Sequence, residues 1–444
     1  MKRESCRLLI DYKLINNKNM DIGEEMYSFV KELFPICRSI TGNGVRQTLN
    51  IIKRELPELT IHEVPSGTEV FDWTVPKEWN IRGGYIETMD HKKVIDFKDC
   101  NLHVMGYSLP IDDVLTRDDL MEMVYTIPEQ PDVIPYVTSY YKERRGFCMT
   151  ENQRLQLNED LYHVCIDSSL KEGCLTYGEL LIPGESDKEI FLSTYICHPS
   201  MANNELSGPA VAVALAKYIK ANANRKYTYR IIFIPETIGS ITYLSKNVDY
   251  MKQHVIAGYN ISCVGDDRTY SYVESPSADT LSDRVAQNVL HFHYPDYKRY
   301  SFLHRGSDER QYCSPLVGLP LCAICRSKYE EYPEYHTSAD NLSLVTPTGL
   351  YGAYEVFRKC IDLLEKNTTY RVTVMCEPQL GKRGLYPTLS RRGSINDTRK
   401  MTAFIAYADG RHDLIEISNK IGVDTQELFP IIDKLMECNL IEEV

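Results

Sequence analysis

The chain lacks any apolar run of the roughly 20 residues that a membrane-spanning helix requires. Its first 17 residues carry charges throughout and contain no long apolar stretch, so they do not resemble a secretory signal peptide. We therefore expect no membrane partner and a cytoplasmic protein.

Basic residues are in deficit, because 50 Lys and Arg stand against 62 Asp and Glu, which gives a net charge of −12 over 444 residues. A general nucleic-acid binder needs basic patches that neutralise phosphates, so this balance argues against nucleic acid as a partner. The proportions of hydrophobic residues (43%) and charged residues (25%) are those of a globular protein, and the length predicts two or three domains.

A disulfide framework is not indicated either. The 14 cysteines are scattered along the chain, and Cys322 and Cys325, which lie close together, are part of the apolar run LPLCAIC. We expect the cysteines to be mostly buried free thiols.

The pattern of apolar residues predicts a discontinuous α/β domain formed by residues 20–65 and 150–375. Helical spacing extends from Met26 to Leu56, and apolar strands such as LYHVCID and EIFLSTYIC alternate with helices from about residue 160. Such alternation predicts a sheet with helices on both faces. Residues 66–149 hold both tryptophans and short strand-like pieces separated by Gly, Pro and Asp, which indicates an inserted β-rich domain.

Residues 376–444 are predicted to form a separate winged-helix-like unit. Three short helical segments with Asp N-caps and Gly turns follow one another there. From residue 393 onward the chain has five Lys or Arg and ten Asp or Glu, a net charge of −5. Because a DNA-reading helix should be basic, we favour a packing role or a homodimer contact.

Polar side chains collect where the predicted strands end. His198 follows one strand, Glu236 follows the next, and Asp266 follows a third, while His336 lies in the irregular stretch EEYPEYHTSADNLS. In doubly wound sheets, ligands bind beyond the carboxyl ends of the strands. Two His and one Asp are typical ligands of a catalytic zinc, with water in the fourth position, and Glu236 would then be the general base.

Each of these residues also has a common structural use. A His at a strand end is more often hydrogen-bonded than metal-bound, a Glu after Pro can begin a helix, and Asp266-Asp267 is a turn signal. It is their joint placement at strand ends that favours a site.

Five segments in a fixed order carry a resemblance to a known family: CHPSMANNELSG, FIPETIGS, VGDDRTYSY, RGSDERQYCSP and YHTSADNLSLV. Together they resemble a bacterial aminopeptidase-like family of the zinc-exopeptidase superfamily, which has an inserted domain of unknown function and a C-terminal winged helix. SGTEVFDWTVPKEWNI resembles the start of that insertion. The resemblance covers nearly the whole chain from about residue 24. It implies a phosphorylase/zinc-exopeptidase-like mixed sheet flanked by helices and a zinc cofactor.

The resemblance also assigns roles to single residues. His198, Asp266 and His336 match the family's metal ligands, with Asp267 as a second choice for the Asp. Glu236 matches its general base.

Two departures from the family bear on the number of metal ions. Asn204 stands where the family has an Asp that bridges two zincs, and Thr237 stands where it has a second ligating Glu. Two zinc ions about 3.5–4 Å apart need an anionic bridge, which a neutral Asn cannot supply, so we expect one ion rather than two. Glu205 could replace Asn204 as the metal-site residue only if the loop slipped by one residue immediately before the helix near Leu206.

Substrate binding requires further polar groups. Acidic residues suit a free α-amine, arginines suit a carboxylate or an anionic sugar, and a tyrosine can stabilise an oxyanion or stack on a ligand. The candidates are Glu205, Asp308, Glu309, Arg305, Arg310 and Tyr312.

Three functions are compatible with these residues. The first is a zinc-dependent aminopeptidase-like hydrolase that acts on a small peptide or amide, with a metal-activated water and Glu236 as general base. The second is a deacylase or amidohydrolase of a modified sugar or amino acid. The third is a degenerate, non-catalytic peptidase homologue that binds a ligand, as Asn204 and Thr237 suggest.

Overall fold

The computed structural model describes residues 21–386 and 395–444, and these divide into two compact units. The first unit reaches to Thr280 and includes Lys298–Tyr354. The second consists of Leu281–Tyr297 and Glu355–Val444. Within the described residues, no helix is both long and apolar enough to span a membrane.

The strands of the chain are numbered in chain order. They are β1 (Thr60–Pro65), β2 (Glu69–Val70), β3 (Trp73–Thr74), β4 (Glu78–Thr88), β5 (Lys93–Asp96), β6 (Ile111–Thr116), β7 (Val124–Tyr125), β8 (Phe147–Cys148), β9 (Leu161–Lys171), β10 (Cys174–Ile182), β11 (Glu189–Tyr195), β12 (Thr228–Ile234), β13 (Val255–Ile261), β14 (Ser271–Val273), β15 (Lys298–Tyr300), β16 (Leu321–Cys325), β17 (Thr369–Val372), β18 (Asp409–Asp413) and β19 (Ile441–Glu443).

The helices are numbered in the same way. They are α1 (21–33), α2 (Asn43–Glu55), α3 (Arg117–Met121), α4 (Glu151–Arg154), α5 (Ser207–Ala221), α6 (Ile238–His254), α7 (Leu281–His293), α8 (Glu309–Tyr312), α9 (Pro347–Lys366), α10 (Ile395–Tyr407), α11 (Leu414–Ile421) and α12 (Thr425–Glu437).

The first unit is built on an eight-stranded mixed sheet with the order β1-β10-β12-β11-β13-β16-β14-β15. The four central strands, β12, β11, β13 and β16, are parallel, so their carboxyl ends lie at one edge of the sheet. On one side of these four strands β10 runs antiparallel to β12, and on the other side β14 runs antiparallel to β16. Helices flank the sheet, and α5 packs on β11 and β13. The predicted mixed α/β fold is confirmed.

The inserted region contributes a four-stranded antiparallel sheet, β5-β4-β9-β6. β9 contains LYHVCID, which the sequence analysis assigned to the α/β sheet, but it pairs with β4 from Glu78 opposite Lys171 to Thr88 opposite Tyr162. Alternating residues of β9, including Val164 and Ile166, are buried in the core of this small sheet, which explains the apolar pattern without a place in the large sheet. The small sheet therefore extends beyond residue 149.

The N-terminal helical pattern is interrupted. α1 ends at residue 33 and α2 begins at Asn43, with a loop between them that contains Pro35 and Gly42. Proline has no backbone N–H and disfavours helix in the residue before it, and Gly42 has a φ of +98°, which favours glycine. This loop carries side chains toward the site described below.

The second unit contains a three-stranded sheet, β18-β17-β19, together with α10, α11 and α12. Asp413 and Asp424 cap α11 and α12 as predicted, and Gly422, with a φ of +64°, ends α11. The sheet begins at Thr369, a few residues before the expected boundary of 376.

No disulfide joins the cysteines that lie within the described ranges. Cys322 and Cys325 are buried in β16.

Candidate active site

A cavity of about 400 Å³ lies at the carboxyl edge of the parallel strands. His198 follows β11, Glu236 follows β12, and His336 comes from the long loop after β16, so the sheet brings three of the predicted site residues to one pocket. The inserted region supplies an aromatic wall. The lining residues are Ile40, Trp73, Tyr136, Thr138, Tyr140, Tyr141, Cys197, His198, Glu236, Thr237, Ile238 and His336.

His198 is held in place by a buried ion pair. Its Nδ1 lies 2.8 Å from Glu205 Oε2, and Arg38 Nε lies 3.2 Å from Glu205 Oε1. Arg38 Nε also donates to the backbone oxygen of His198, at 3.0 Å. With Nδ1 donating to the carboxylate, Nε2 carries the lone pair, and it lies 3.7 Å from Glu236 Oε2 in the pocket.

The residues after His198 form a π-helical turn, Ala202–Leu206, before α5 begins. Leu206 N–H donates to the oxygen of Met201, and Ser207 N–H to that of Ala202, five residues back instead of four. A π turn accommodates one extra residue in a helix, so it can absorb the one-residue slip that the sequence analysis considered less favourable. Glu205 reaches His198 as a result.

The side chain of Asn204, in the same turn, contacts Tyr195 and Cys263. Its amide nitrogen donates to Tyr195 Oη at 2.8 Å and lies 3.6 Å from Cys263 Sγ. Asp340 stabilises the turn, because its carboxylate accepts hydrogen bonds from the backbone N–H groups of Asn203 and Asn204.

His336 is clamped by aromatic rings and by the inserted region. Its ring stacks on Tyr335, with centroids 3.9 Å apart, and Tyr136 packs against it edge-on at 5.1 Å. Tyr136 N–H donates to the backbone oxygen of His336 at 2.9 Å. The φ of His336 is +55°, an uncommon conformation for a residue other than glycine, and such strain often occurs at functional sites. Its buried Nε2 has no hydrogen-bond partner within the described part of the chain.

Glu236 is the carboxylate of the pocket. Its backbone N–H donates to Cys197 Sγ at 3.2 Å. Burial, followed by the charge of Asp308, raises the pKa of Glu236 to about 8. The next residue, Thr237, has a φ of +63°, a strained conformation for a β-branched side chain, and its N–H donates to Asp308 Oδ1 at 2.8 Å.

Asp266, the predicted third ligand, is buried, and both of its carboxylate oxygens are engaged. They accept hydrogen bonds from the backbone and hydroxyl of Ser327, at 2.8 Å each, from Arg268 N–H and from the Asn203 amide. Asp267 accepts from the Thr346 hydroxyl at 2.5 Å. The structure thus does not bring Asp266 into a close ligand cluster with His198 and His336.

The acidic residues predicted to bind substrate also have internal partners. Glu205 is fully buried against Arg38. Asp308 accepts from Thr237 N–H and from the Ser240 hydroxyl. Glu309 is buried and accepts from Gly306 N–H and Tyr329 Oη through one oxygen and from the Asn260 amide through the other.

The three other predicted substrate-binding residues, Tyr312, Arg305 and Arg310, are not among the lining residues of the cavity. Arg310 donates to the hydroxyl of Thr237 at 3.0 Å. Tyr312 is buried, and its hydroxyl lies 2.9 Å from that of Ser193 in the central strand β11. Arg305 is exposed and stacks its guanidinium over Phe302, at 4.8 Å.

The donors that face the pocket fit a zinc-type ion. Burial, with Arg38 adding to it for His198, lowers the pKa of His198 and of His336 to about 3, so both imidazoles are neutral at pH 7 and have a free lone pair. Their ring centroids are 5.4 Å apart. The orphaned Nε2 of His336 is a buried polar atom in need of a partner.

Another group of donors is closer together but less suited to a cation. Within the described residues, Cys197, His198 and Glu205 form the single group of three possible ligands with all donor atoms within 4.8 Å. The Arg38 guanidinium already supplies the positive charge beside Glu205. Burial also raises the pKa of the Cys197 thiol well above its usual value, so the thiol stays protonated.

Two contributors to the site were missed by the sequence analysis. Arg38 lies in FPICRSI, and a single arginine within an apolar run is a signal that it is buried and paired. Tyr136 belongs to the inserted region, and nothing in its local sequence indicates contact with His198 and His336, whose rings it touches at 5.1 Å.

Comparison with known families agrees with this architecture. Residues 27–367 match the family described as a domain of unknown function (DUF4910), and residues 368–443 match a winged helix-turn-helix family. A Clostridium acetobutylicum protein, provisionally named a polysaccharide biosynthesis protein with an aminopeptidase-like domain, is 45% identical over 434 residues, which are 97% of this chain and 99% of that protein.

Solved structures show the same fold. A crystal structure of a provisionally named peptidase from Clostridium acetobutylicum is 45% identical, with a TM-score of 0.91 over 98% of this chain and 99% of that one. A zinc aminopeptidase from Bacillus subtilis has a TM-score of 0.56 at 10% identity, covering 77% of this chain and 94% of its own. A peptidase M28 precursor from Shewanella amazonensis has a TM-score of 0.55 at 12% identity, covering 82% and 99%. These two show a shared aminopeptidase-like fold.

We expect Arg38→Met to lower the free energy of unfolding of the first unit by about 3–5 kcal/mol, because it leaves the Glu205 carboxylate buried and unpaired. Both tryptophans belong to this unit, so denaturation followed by their fluorescence reports on it. Adding Glu205→Gln should restore part of the loss, since the unpaired charge is then removed.

Arg268→Met is the matched control, because Arg268 pairs with Glu334 at the surface, and it should cost at most about 1 kcal/mol. Equal losses in the two arginine variants would show that the Arg38–Glu205 pair does not hold the site together.

Proposed function

The chain belongs to the DUF4910 family, and from this premise we propose that it is a zinc-dependent, aminopeptidase-like hydrolase of a peptide or amide bond. The observation that carries the proposal is the shared pocket of His198, His336 and Glu236, two neutral imidazoles beside one carboxylate. The family resemblance and the fold of the zinc aminopeptidase from Bacillus subtilis support zinc as the ion.

In this proposal His198 and His336 would hold the ion through their Nε2 atoms. A bound zinc ion lowers the pKa of a water molecule and polarises a carbonyl oxygen. Glu205 and Arg38 keep His198 in the tautomer that leaves Nε2 free, and Tyr136 and Tyr335 fix the ring of His336. Asn204 and Thr237, which replace carboxylates of the two-zinc pattern, support a single ion.

Glu236 acts as general base and then as general acid. It accepts a proton from the attacking water and delivers it to the departing nitrogen, which leaves as an amine. The raised pKa of Glu236 suits the second half of this transfer, because the protonated carboxyl group can donate its proton near neutral pH.

A deacylase is a second candidate, and one observation favours it. Glu236 is the one carboxylate among the residues that line the pocket, and the acids expected to bind a free α-amine, Glu205, Asp308 and Glu309, are not among those residues. A substrate without an ammonium group, such as the N-acyl group of an amino sugar, avoids that deficit. The polysaccharide biosynthesis name of the Clostridium acetobutylicum relative agrees with such a substrate.

We expect purified protein to contain at most one zinc ion per chain by plasma mass spectrometry, since the bridging carboxylate of a two-zinc site is missing. His198→Ala and His336→Ala should each lose most of that zinc. The control is His91→Ala, an exposed histidine of the inserted region with 83% of its side chain accessible, which should keep it. Asp266→Asn separates the ligand sets, because zinc retained in that variant removes Asp266 from the coordination sphere. Two zinc ions per chain would contradict the single-ion site.

Glu236→Gln should reduce kcat by about a hundred- to ten-thousand-fold while zinc content and the unfolding midpoint stay unchanged, because the amide cannot take a proton. Glu143→Gln, at an exposed position of the inserted region, is the matched control and should leave kcat unchanged. The rate of chelator-sensitive release of an amine from amide substrates measures both. Full activity of Glu236→Gln would remove Glu236 from the mechanism.

Substrates with a free α-amine and the same substrates after N-acetylation distinguish the two candidate activities. Because no unengaged carboxylate lines the pocket besides Glu236, we expect the N-acetylated compounds and N-acetylated amino sugars to be hydrolysed at the higher kcat/KM. A preference for the free amine would favour the aminopeptidase. Zinc-loaded protein that binds these compounds without turnover would instead indicate a non-catalytic homologue.

A further inference from the structure

A second cavity, of about 270 Å³, lies at the amino end of α2, and neither the family resemblance nor the proposed hydrolysis uses it. It is lined by the loop before α2 and by strands β4 and β9 of the inserted region. The lining residues are Cys37, Ser39, Thr41, Asn43, Gly44, Trp79, Asn80, Ile81, Arg82, Ser169 and Lys171.

The amino end of α2 is open toward this cavity. The residue before the helix is Gly42, which has no side chain to cap it, and the first turn contains no acidic residue. Asn80 Oδ1 accepts the N–H of Asn43 at 2.7 Å. The N–H groups of Gly44 and Val45 have no acceptor within the helix, because no helical turn precedes the first turn to supply carbonyl oxygens. A 13-residue helix thus presents amides and the positive end of its dipole.

Gly44 keeps the helix close to the loop. A Cβ atom at this position would lie 2.0 Å from the backbone oxygen of Cys37 and 3.0 Å from the Cα of Arg38, so only glycine allows this approach. The loop and the first turn therefore form one wall of the cavity.

Ser39 provides an independent indication of a ligand. The residue is 5% exposed and lines the cavity, yet its hydroxyl has no hydrogen-bond partner within the described ranges. A buried hydroxyl without a partner costs free energy, so such atoms are normally satisfied by water or a ligand. A hydroxyl and helix amides in one cavity are hydrogen-bond donors that suit an oxyanion.

The charge around the cavity has the matching sign. Arg46 pairs with Glu78 and Arg82 pairs with Asp167, which balances two cations with two carboxylates. Lys171, exposed at the end of β9, adds a further positive charge to the lining. Glu78 and Asp167 are not among the lining residues, although Glu78 Oε1 accepts a hydrogen bond from the side-chain amide of the lining residue Asn80 at 2.9 Å.

We propose that this cavity binds a phosphoryl group, either as inorganic phosphate or as the monoester of a small molecule. The volume is below the roughly 300 Å³ at which pockets for drug-sized ligands begin, so a phosphate with a small attached group fits and a whole nucleotide does not. Ser39 Oγ and the amides of α2 donate to the phosphate oxygens, and Lys171 supplies charge.

The test is calorimetric titration of the full-length protein with inorganic phosphate at low ionic strength. Saturable binding should weaken by about tenfold in Ser39→Ala, because a hydrogen bond to a charged oxygen is lost. It should weaken by about threefold in Lys171→Met, as for an exposed ion pair. Lys98→Met, at another exposed lysine of the inserted region, should bind phosphate like the unaltered protein.

Two further arms make the result decisive. The titration is repeated after chelator treatment, because phosphate also binds metal ions, and binding that disappears with the metal would overturn the proposal. Ser39→Ala should keep its unfolding midpoint without phosphate, since the hydroxyl makes no bond to lose. Equal affinity of this variant and the unaltered protein, or no saturable binding, would also overturn it. Tighter binding of glucose 1-phosphate than of inorganic phosphate identifies a monoester as the ligand, and equal binding identifies the free ion.

Discussion

The buried guanidinium of Arg38 is the constraint on which the site depends. Arg38 is 1% exposed, so its charge is stable there only while Glu205 and the surrounding carbonyl oxygens compensate it. Its donors reach the backbone oxygens of Leu33 and His198 as well as the Glu205 carboxylate. One side chain thereby ties the end of α1, the loop after β11 and the π turn together, and it determines where His198 can stand.

The inserted region contributes directly to the site. Tyr136 touches both imidazole rings, and its backbone N–H binds the oxygen of His336. Next to it, Ile134 and Ser338 exchange hydrogen bonds. A loop that holds a strained residue such as His336, with its φ of +55°, needs contacts on both sides, and the insertion supplies them.

Residues fixed by strand position were predictable from the sequence, and residues fixed by packing were not. His198 and Glu236 follow apolar strands directly, so the rule for parallel sheets places them at one edge. The contact of Glu205 with His198 depends on the π turn, which adds one residue to the helix. No sequence signal indicates this turn, so the sequence does not show which side chain contacts His198. Glu309 looked like a loop acid available to substrate, but Asn260 and Tyr329 from distant segments bind both of its oxygens. Spacing along the chain cannot reveal such long-range partners.

The segment Arg38–Thr41 is a wall common to two cavities. Ile40 lines the pocket of His198, whereas Ser39 and Thr41 line the cavity at α2. Both ends of the wall are fixed: Arg38 binds Glu205, and the Thr41 hydroxyl accepts the N–H of Trp79. Because these contacts hold both ends of the segment, an anion at α2 can alter hydrolysis only under one condition. The segment must have a second arrangement, and the anion must bind the two arrangements with different affinities. The ratio of those two affinities then sets the limit of the effect.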